Sequence, residues 1–235
     1  MGEPYYIYKG VDSREIGVIV QKMPDLHRAP ENVTLLQVKG RNGRLEQDDG
    51  TSDIYKDTIK INCNGVPLRQ VYAWMSGAGW LIPGTEPDRR IWVSMHMQPK
   101  NSHFRADGAC YDSITFDIYC QPFRYFEPDV EPVVVTESPG RIDNPGTQYS
   151  EPVITIRATG DITVLLGQYQ MDFEGLTDGI IVDCALEECF SLDRAELMNR
   201  HPSMDEFPRL LPGANFVQWM GAVESIRVER RCRDV

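Results

Sequence analysis

Between Glu127 and Pro152 a proline recurs every few residues, at Pro128, Pro132, Pro139, Pro145 and Pro152. Proline has no backbone N–H to give to a ladder, so a run this dense cannot occupy central strands. Pro139-Gly140 and Pro145-Gly146 add two strong turn dipeptides. The chain therefore reads as two domains, residues 1–135 and 136–235, with Val133-Val134-Val135 closing the first as an edge strand. A chain of 235 residues has room for either one large domain or two small ones, and each can bury a core without disulfides.

Both halves carry the period of β-structure. Ile114, Phe116, Ile118 and Cys120 alternate with polar residues, which places them on one face of a strand. Thr58 to Cys63 alternates in the same way, and β-branched Ile16-Gly17-Val18-Ile19-Val20 reads as a buried strand. One helix is expected in the first half. Asn64 is its N-cap, Leu68, Val71, Tyr72 and Met75 form its apolar stripe, and Gly77 stops it. In the second half, Ile154, Ile156 and Ala158 precede Thr159-Gly160-Asp161, and Ile162, Val164 and Leu166 follow, which reads as a hairpin. Thr177-Asp178-Gly179 marks a further turn ahead of Ile180, Val182 and Cys184, and Val217, Trp219, Ile226 and Val228 give the last strands. Ser191 to His201 is expected to form a short helix stopped by Pro202. About 100 residues of short strands and turns predict a β-sandwich. The fold class is mainly β, with one principal helix.

Composition removes several function classes. Lys+Arg 24 against Asp+Glu 35 leaves a net charge of −11. Duplex affinity comes mainly from neutralising phosphates, so specific nucleic-acid binding is not expected. The longest uncharged stretch, Gln70 to Thr85, is interrupted by Gly77, Gly79, Pro83 and Gly84, and no membrane insertion is expected. Met1-Gly2-Glu3-Pro4-Tyr5 shows neither a basic flank nor an apolar core of a signal peptide. Synthesis in a cytosol is the expectation. No two of Cys63, Cys110, Cys120, Cys184, Cys189 and Cys232 are spaced as a metal or redox pair, so all six read as buried thiols.

Searches for reactive motifs find no Walker A loop, G-x-G-x-x-G, G-x-S-x-G or H-E-x-x-H. Ser76-Gly77-Ala78-Gly79 follows the expected helix, whereas a phosphate cradle precedes one. His27, His96, His103 and His201 lack flanking ligand sets along the sequence, so no metal centre is expected. Asp48-Asp49-Gly50-Thr51-Ser52-Asp53 lacks the order of a calcium loop and reads as a solvated hairpin tip. Glu187 and Glu188 point to opposite faces of a strand and do not form an acid/base pair. Trp219 reads as a core residue. No catalytic residue, cofactor or metal is assigned, and the chain is not read as an enzyme.

In order along the chain, these residues resemble the distal tail protein family of long, flexible-tailed phages. The resemblance runs through Arg14-Glu15-Ile16-Gly17-Val18-Ile19-Val20 and Met23-Pro24. It continues through Val38-Lys39-Gly40-Arg41-Asn42-Gly43-Arg44-Leu45 with Asp49-Gly50 and Tyr55, similar to the family's glycine-arginine-glycine hairpin. Trp74-Met75-Ser76-Gly77 and Gly79-Trp80-Leu81 look like its helix and exit, and Ile114-Thr115-Phe116 through Tyr125 like the closing strand of its first domain. Asn144-Pro145-Gly146, Gly160-Asp161-Ile162, Asp178 to Asp183, Phe207-Pro208-Arg209-Leu210 and Pro212-Gly213-Ala214-Asn215 follow in family order.

The resemblance implies an N-terminal tail-tube-like β-sandwich or split barrel that closes into a homohexameric ring, and a C-terminal galectin-like β-sandwich. It implies a structural hub at the distal end of a virion tail, assembled in the host cytoplasm. The implied neighbours are the tail tube protein, the tail-tip or baseplate protein and the tape measure protein, with DNA passing through the ring. The galectin sugar-binding pattern, His-x-Asn-x-Arg with a following Trp, is absent, so the fold carries over without the ligand. Arg41 and Arg44 on the hairpin are the expected ring-interface residues, since arginine is enriched at interfaces. Two other readings compete. A carbohydrate-binding sandwich on a dimerising domain predicts an exposed aromatic platform. A tail-borne glycoside hydrolase requires two carboxylates about 5 Å or about 6.5–9.5 Å apart.

Overall fold

The computed structural model describes residues 4–25, 27–96 and 98–235. The backbone forms two compact units, one reaching Glu127 and including Val235, the other Pro128–Asp234. The division precedes the expected break at 135/136 because Val133–Val135 does not close the first unit. It pairs with the long C-terminal strand, Val133 opposite Val228 and Val135 opposite Ile226.

The first unit contains β1 (Tyr6–Tyr8), β2 (Val11–Asp12), α1 (Ser13–Ile16), β3 (Val18–Lys22), β4 (Glu31–Leu36), β5 (Leu45–Ser52), β6 (Tyr55–Cys63), α2 (Leu68–Met75), β7 (Gly77–Pro83), β8 (Arg89–Met95), β9 (Lys100–Ala106) and β10 (Ala109–Phe126). Its main sheet runs β2-β1-β7-β8-β10-β6-β3, and β9 also pairs with β10. Tyr6 and Tyr8 from one end of this path share a core with Val18 and Val20 from the other, so the sheet curls on itself. The expected rows are present: Ile114, Phe116, Ile118 and Cys120 are buried, as are Ile59, Ile61 and Cys63.

Helix α2 fills the curl. Val71, Trp74 and Met75 are buried. Trp74 stacks on Tyr6 at 5.4 Å between ring centroids and donates its indole N–H to the Tyr8 carbonyl at 3.2 Å. Burial pushes the Tyr6 hydroxyl pKa up and that of Tyr8 up to about 12. The helix starts later than Asn64. Its N-cap is Pro67, whose missing N–H costs nothing at a helix start, where donors have no intrahelical partner. A further turn of helix, α1, is capped by the Asp12 carboxylate on the Arg14 N–H and ends at left-handed Gly17. It takes Ile16 out of the expected buried strand, and Ile19 on β3 faces outward.

The second unit is one eight-stranded sheet folded over a single core. Its strands are β11 (Val133–Val135), β12 (Gly140–Asn144), β13 (Val153–Leu166), β14 (Tyr169–Leu176), β15 (Gly179–Asp183), β16 (Glu188–Phe190), β17 (Pro202–Ser203) and β18 (Gly213–Glu229). The expected hairpin at Thr159-Gly160-Asp161 is instead a bend in one continuous strand. β13 pairs with β15 through residues 153–157 and with β14 through 162–166, while β18 follows it through both stretches. Gly160 (φ +76) and Gly221 (φ +99) stand at the register shifts that make the bend. A Cβ on Gly221 would meet the Asp161 carbonyl at 2.6 Å, so glycine is required there. Bending brings Ile154 and Ile156 of one layer over Val164, Leu166, Met171 and Phe173 of the other. The expected helix at Ser191–His201 is absent. Ser191 and Asp193 instead accept hydrogen bonds from the Glu196 and Ala195 N–H groups and hold a turn, a local bond that competes with helix. Trp219 is half-buried against the core.

Candidate functional site

The feature of the first unit that its core does not account for is an arm. β4 and β5 form a separate two-stranded sheet that pairs with no other strand among the described residues. Six residues at about 3.3 Å each give β4 a length near 20 Å. Every residue from Glu31 to Gly50 is exposed. Val33, Leu35, Leu36 and Leu45 nevertheless stand on this hairpin, Leu36 directly opposite Leu45. A lone two-stranded hairpin is marginal in water, and these partly exposed apolar side chains have no core of their own to pack into.

Loop 37–44 joins the two strands and carries Arg41 and Arg44, both exposed at the tip, with Gly40 and Gly43 supplying positive φ. The acidic run 48–53 is not the tip. Asp48 to Ser52 belong to β5, where Asp48 and Asp49 accept the Gly50 and Thr51 N–H groups. The sequence shows the loop through its glycines. It hides the strand because a polar strand exposed on both faces has no apolar alternation to reveal it.

At the root of the arm three ligand-type side chains converge. Asp25 and His27 lie on the segment leading out to β4, and Asp57 on β6 just after the chain returns. Their ligating atoms all lie within 4.8 Å of one another. Sequence reading missed the group because Asp57 is far along the chain from the other two.

Two concave surfaces are lined by other residues. An open pocket of about 510 Å³ beside α2 is lined by Tyr72, Met75, Ser76, Met95, His96 and Phe116 among others, and its walls are mostly apolar. In the second unit a cleft of about 450 Å³ gathers Glu151, Glu187, Asp205 and Glu206 around Cys184 and Arg209. Glu151 is held there by Arg233 at 3.0 Å. The cleft is suited to attracting cations. It places Glu187 among other acids, whereas Glu188 lies on β16.

All six cysteines are free thiols. Cys63, Cys120, Cys184, Cys189 and Cys232 are buried as expected. Cys110 is exposed, because it sits on β10 opposite Arg105 of β9, whose Nε–H donates to its sulfur at 3.2 Å. Burial pushes the Cys63 thiol up to about 11 and those of Cys120 and Cys189 up to about 12, which makes them poor nucleophiles at neutral pH.

No family model and no curated protein matches this sequence. Among solved structures, the chain is similar to the crystal structure of SPP1 Dit (gp 19.1), described as a paradigm of the hub adsorption apparatus in Gram-positive-infecting phages. The TM-score is 0.76 at 14% sequence identity, over 97% of this chain and 99% of that chain. The ordered sequence motifs and the fold thus agree: this chain shares the architecture of a phage hub protein over nearly its whole length.

Proposed function

We propose that the protein is a structural, non-catalytic hub at the distal end of a siphophage tail. Six copies close into a ring between the tail tube and the tip or baseplate. The observation that carries this reading is the arm, an exposed hairpin bearing Val33, Leu35, Leu36 and Leu45, which needs a neighbour to cover it. In a closed ring each copy offers its arm to the next, so one surface serves every interface and no arm is left bare. The fold shared with SPP1 Dit supports the same role. Arg41 and Arg44 at the tip are then contacts on the adjoining copy. The neighbours in this reading are a tube protein on one side and tip and tape measure proteins on the other, with the genome passing through the acidic ring. The second unit is the galectin-like sandwich of this design. Assembly occurs in the host cytoplasm, ahead of incorporation into the virion tail.

Native mass measurement across a range of concentrations tests this. The expected result is a species of six chains that reverts to single chains when Leu35 is changed to Asp. A stable dimer, or a single chain at every concentration, overturns it.

A further inference from the structure

We propose that Asp25, His27 and Asp57 form a binding site for a first-row divalent metal ion at the root of the arm. Asp57 is the fixed ligand. It follows the core-facing row of β6, in step with Ile59, Ile61 and Cys63, and is 6% exposed. A carboxylate in such a row is costly to bury unless its charge is met. Its two hydrogen-bond donors are backbone N–H groups, Asp25 to Oδ2 and Thr58 to Oδ1, each at 2.7 Å. These bonds orient both oxygens and leave one lone pair on each, as outer partners do for metal-bound carboxylates.

The other two ligands are positioned against it. The Asp25 N–H bond to Asp57 holds Asp25 against β6, and the His27 ring sits edge-on to Tyr55 at 6.4 Å. His27 Nε2 lies 3.9 Å from Asp25 Oδ2. Ligand atoms about 2.0–2.2 Å from a common ion stand roughly 3–4 Å apart, so closure from separations within 4.8 Å takes only small side-chain rotations of the exposed Asp25 and His27. One imidazole and two carboxylates favour zinc or its neighbours over magnesium or calcium, which take oxygen alone. Water completes the coordination. Lys22 is the competitor: its ammonium holds Asp25 Oδ2 at 3.0 Å and is displaced when the ion enters. Occupancy would tie the outgoing and returning segments of the arm together. The site stands independently of what the arm contacts.

The test is calorimetric titration of the full chain with zinc chloride and, separately, magnesium chloride. A Cys110→Ser background removes the exposed thiol as a ligand. One zinc ion per chain is expected, with magnesium far weaker. His27→Gln and Asp25→Asn, both at exposed side chains, should each weaken binding at least about tenfold. Lys22→Gln should tighten it by removing the competitor. Circular dichroism of each variant confirms the fold, so that loss of binding is not loss of structure. Absence of saturable zinc binding, zinc binding that His27→Gln leaves unchanged, or magnesium binding as tight as zinc overturns the proposal. Ring assembly is read by a separate mass measurement, so failure of one does not mask the other.

Discussion

The two units close a β-sheet over a core by different means. The first curls its sheet and fills the curl with α2, whose Trp74 and Met75 reach Tyr6 and Tyr8. The second has no helix among the described residues. It folds one sheet double at Gly160 and Gly221, so that the two halves of the same strands face each other. The first solution depends on the size of a few aromatic side chains. The second depends on backbone freedom at two positions. The contrast teaches that similar strand content can rest on packing in one place and on glycine in another.

The largest blow to the first design is Trp74→Ala. It removes the stack on Tyr6 and the indole hydrogen bond to Tyr8, and should cost about 3–5 kcal/mol. Denaturant unfolding followed by tryptophan fluorescence and by amide exchange should show the loss confined to the first unit. The matching blow to the second is Gly221→Val, which forces a β-branched residue into φ +99 against the Asp161 carbonyl and Ile162. About 2–3 kcal/mol of stability should go, and exchange should rise throughout the second unit while the first is unchanged. An equal loss in both units from either substitution would break the comparison.

Smaller effects sharpen it. Asp12→Ala at the α1 cap should cost about 1 kcal/mol at neutral pH. The Arg14 side chain hydrogen-bonded to Asp12 holds that carboxyl below its ordinary value. Its stabilisation is therefore full above the unfolded carboxylate pKa and fades as pH falls through the lowered folded one. Thermal melts of the two proteins should converge in acid. Thiol labelling is smaller still in energetic terms. Cys110 should react at once, while the five buried thiols wait for unfolding, those of the first unit being released early in Trp74→Ala and those of the second in Gly221→Val. Leu35→Asp should change single-chain stability by less than about 0.5 kcal/mol, since the arm lies outside both cores.

What the sequence discloses follows from these designs. Strands with one buried face show through alternation, as Ile114 to Cys120 does, and α2 shows through its stripe. The fold in the second sheet does not. Thr159-Gly160-Asp161 carries the letters of a hairpin turn, and only pairing with the distant β18 turns it into a bend. β5 is concealed by its polarity, and the Asp57 cluster by distance along the chain. Arg41 and Arg44 are legible as loop residues because Gly40 and Gly43 mark the loop.

The doubled sheet has a mechanical consequence. β13 and β18 run unbroken through both layers, so neither layer can peel away while the other stays intact. Tension applied to the ends of β18 would be shared by the whole ladder in shear. The unit would then yield in a single step rather than layer by layer.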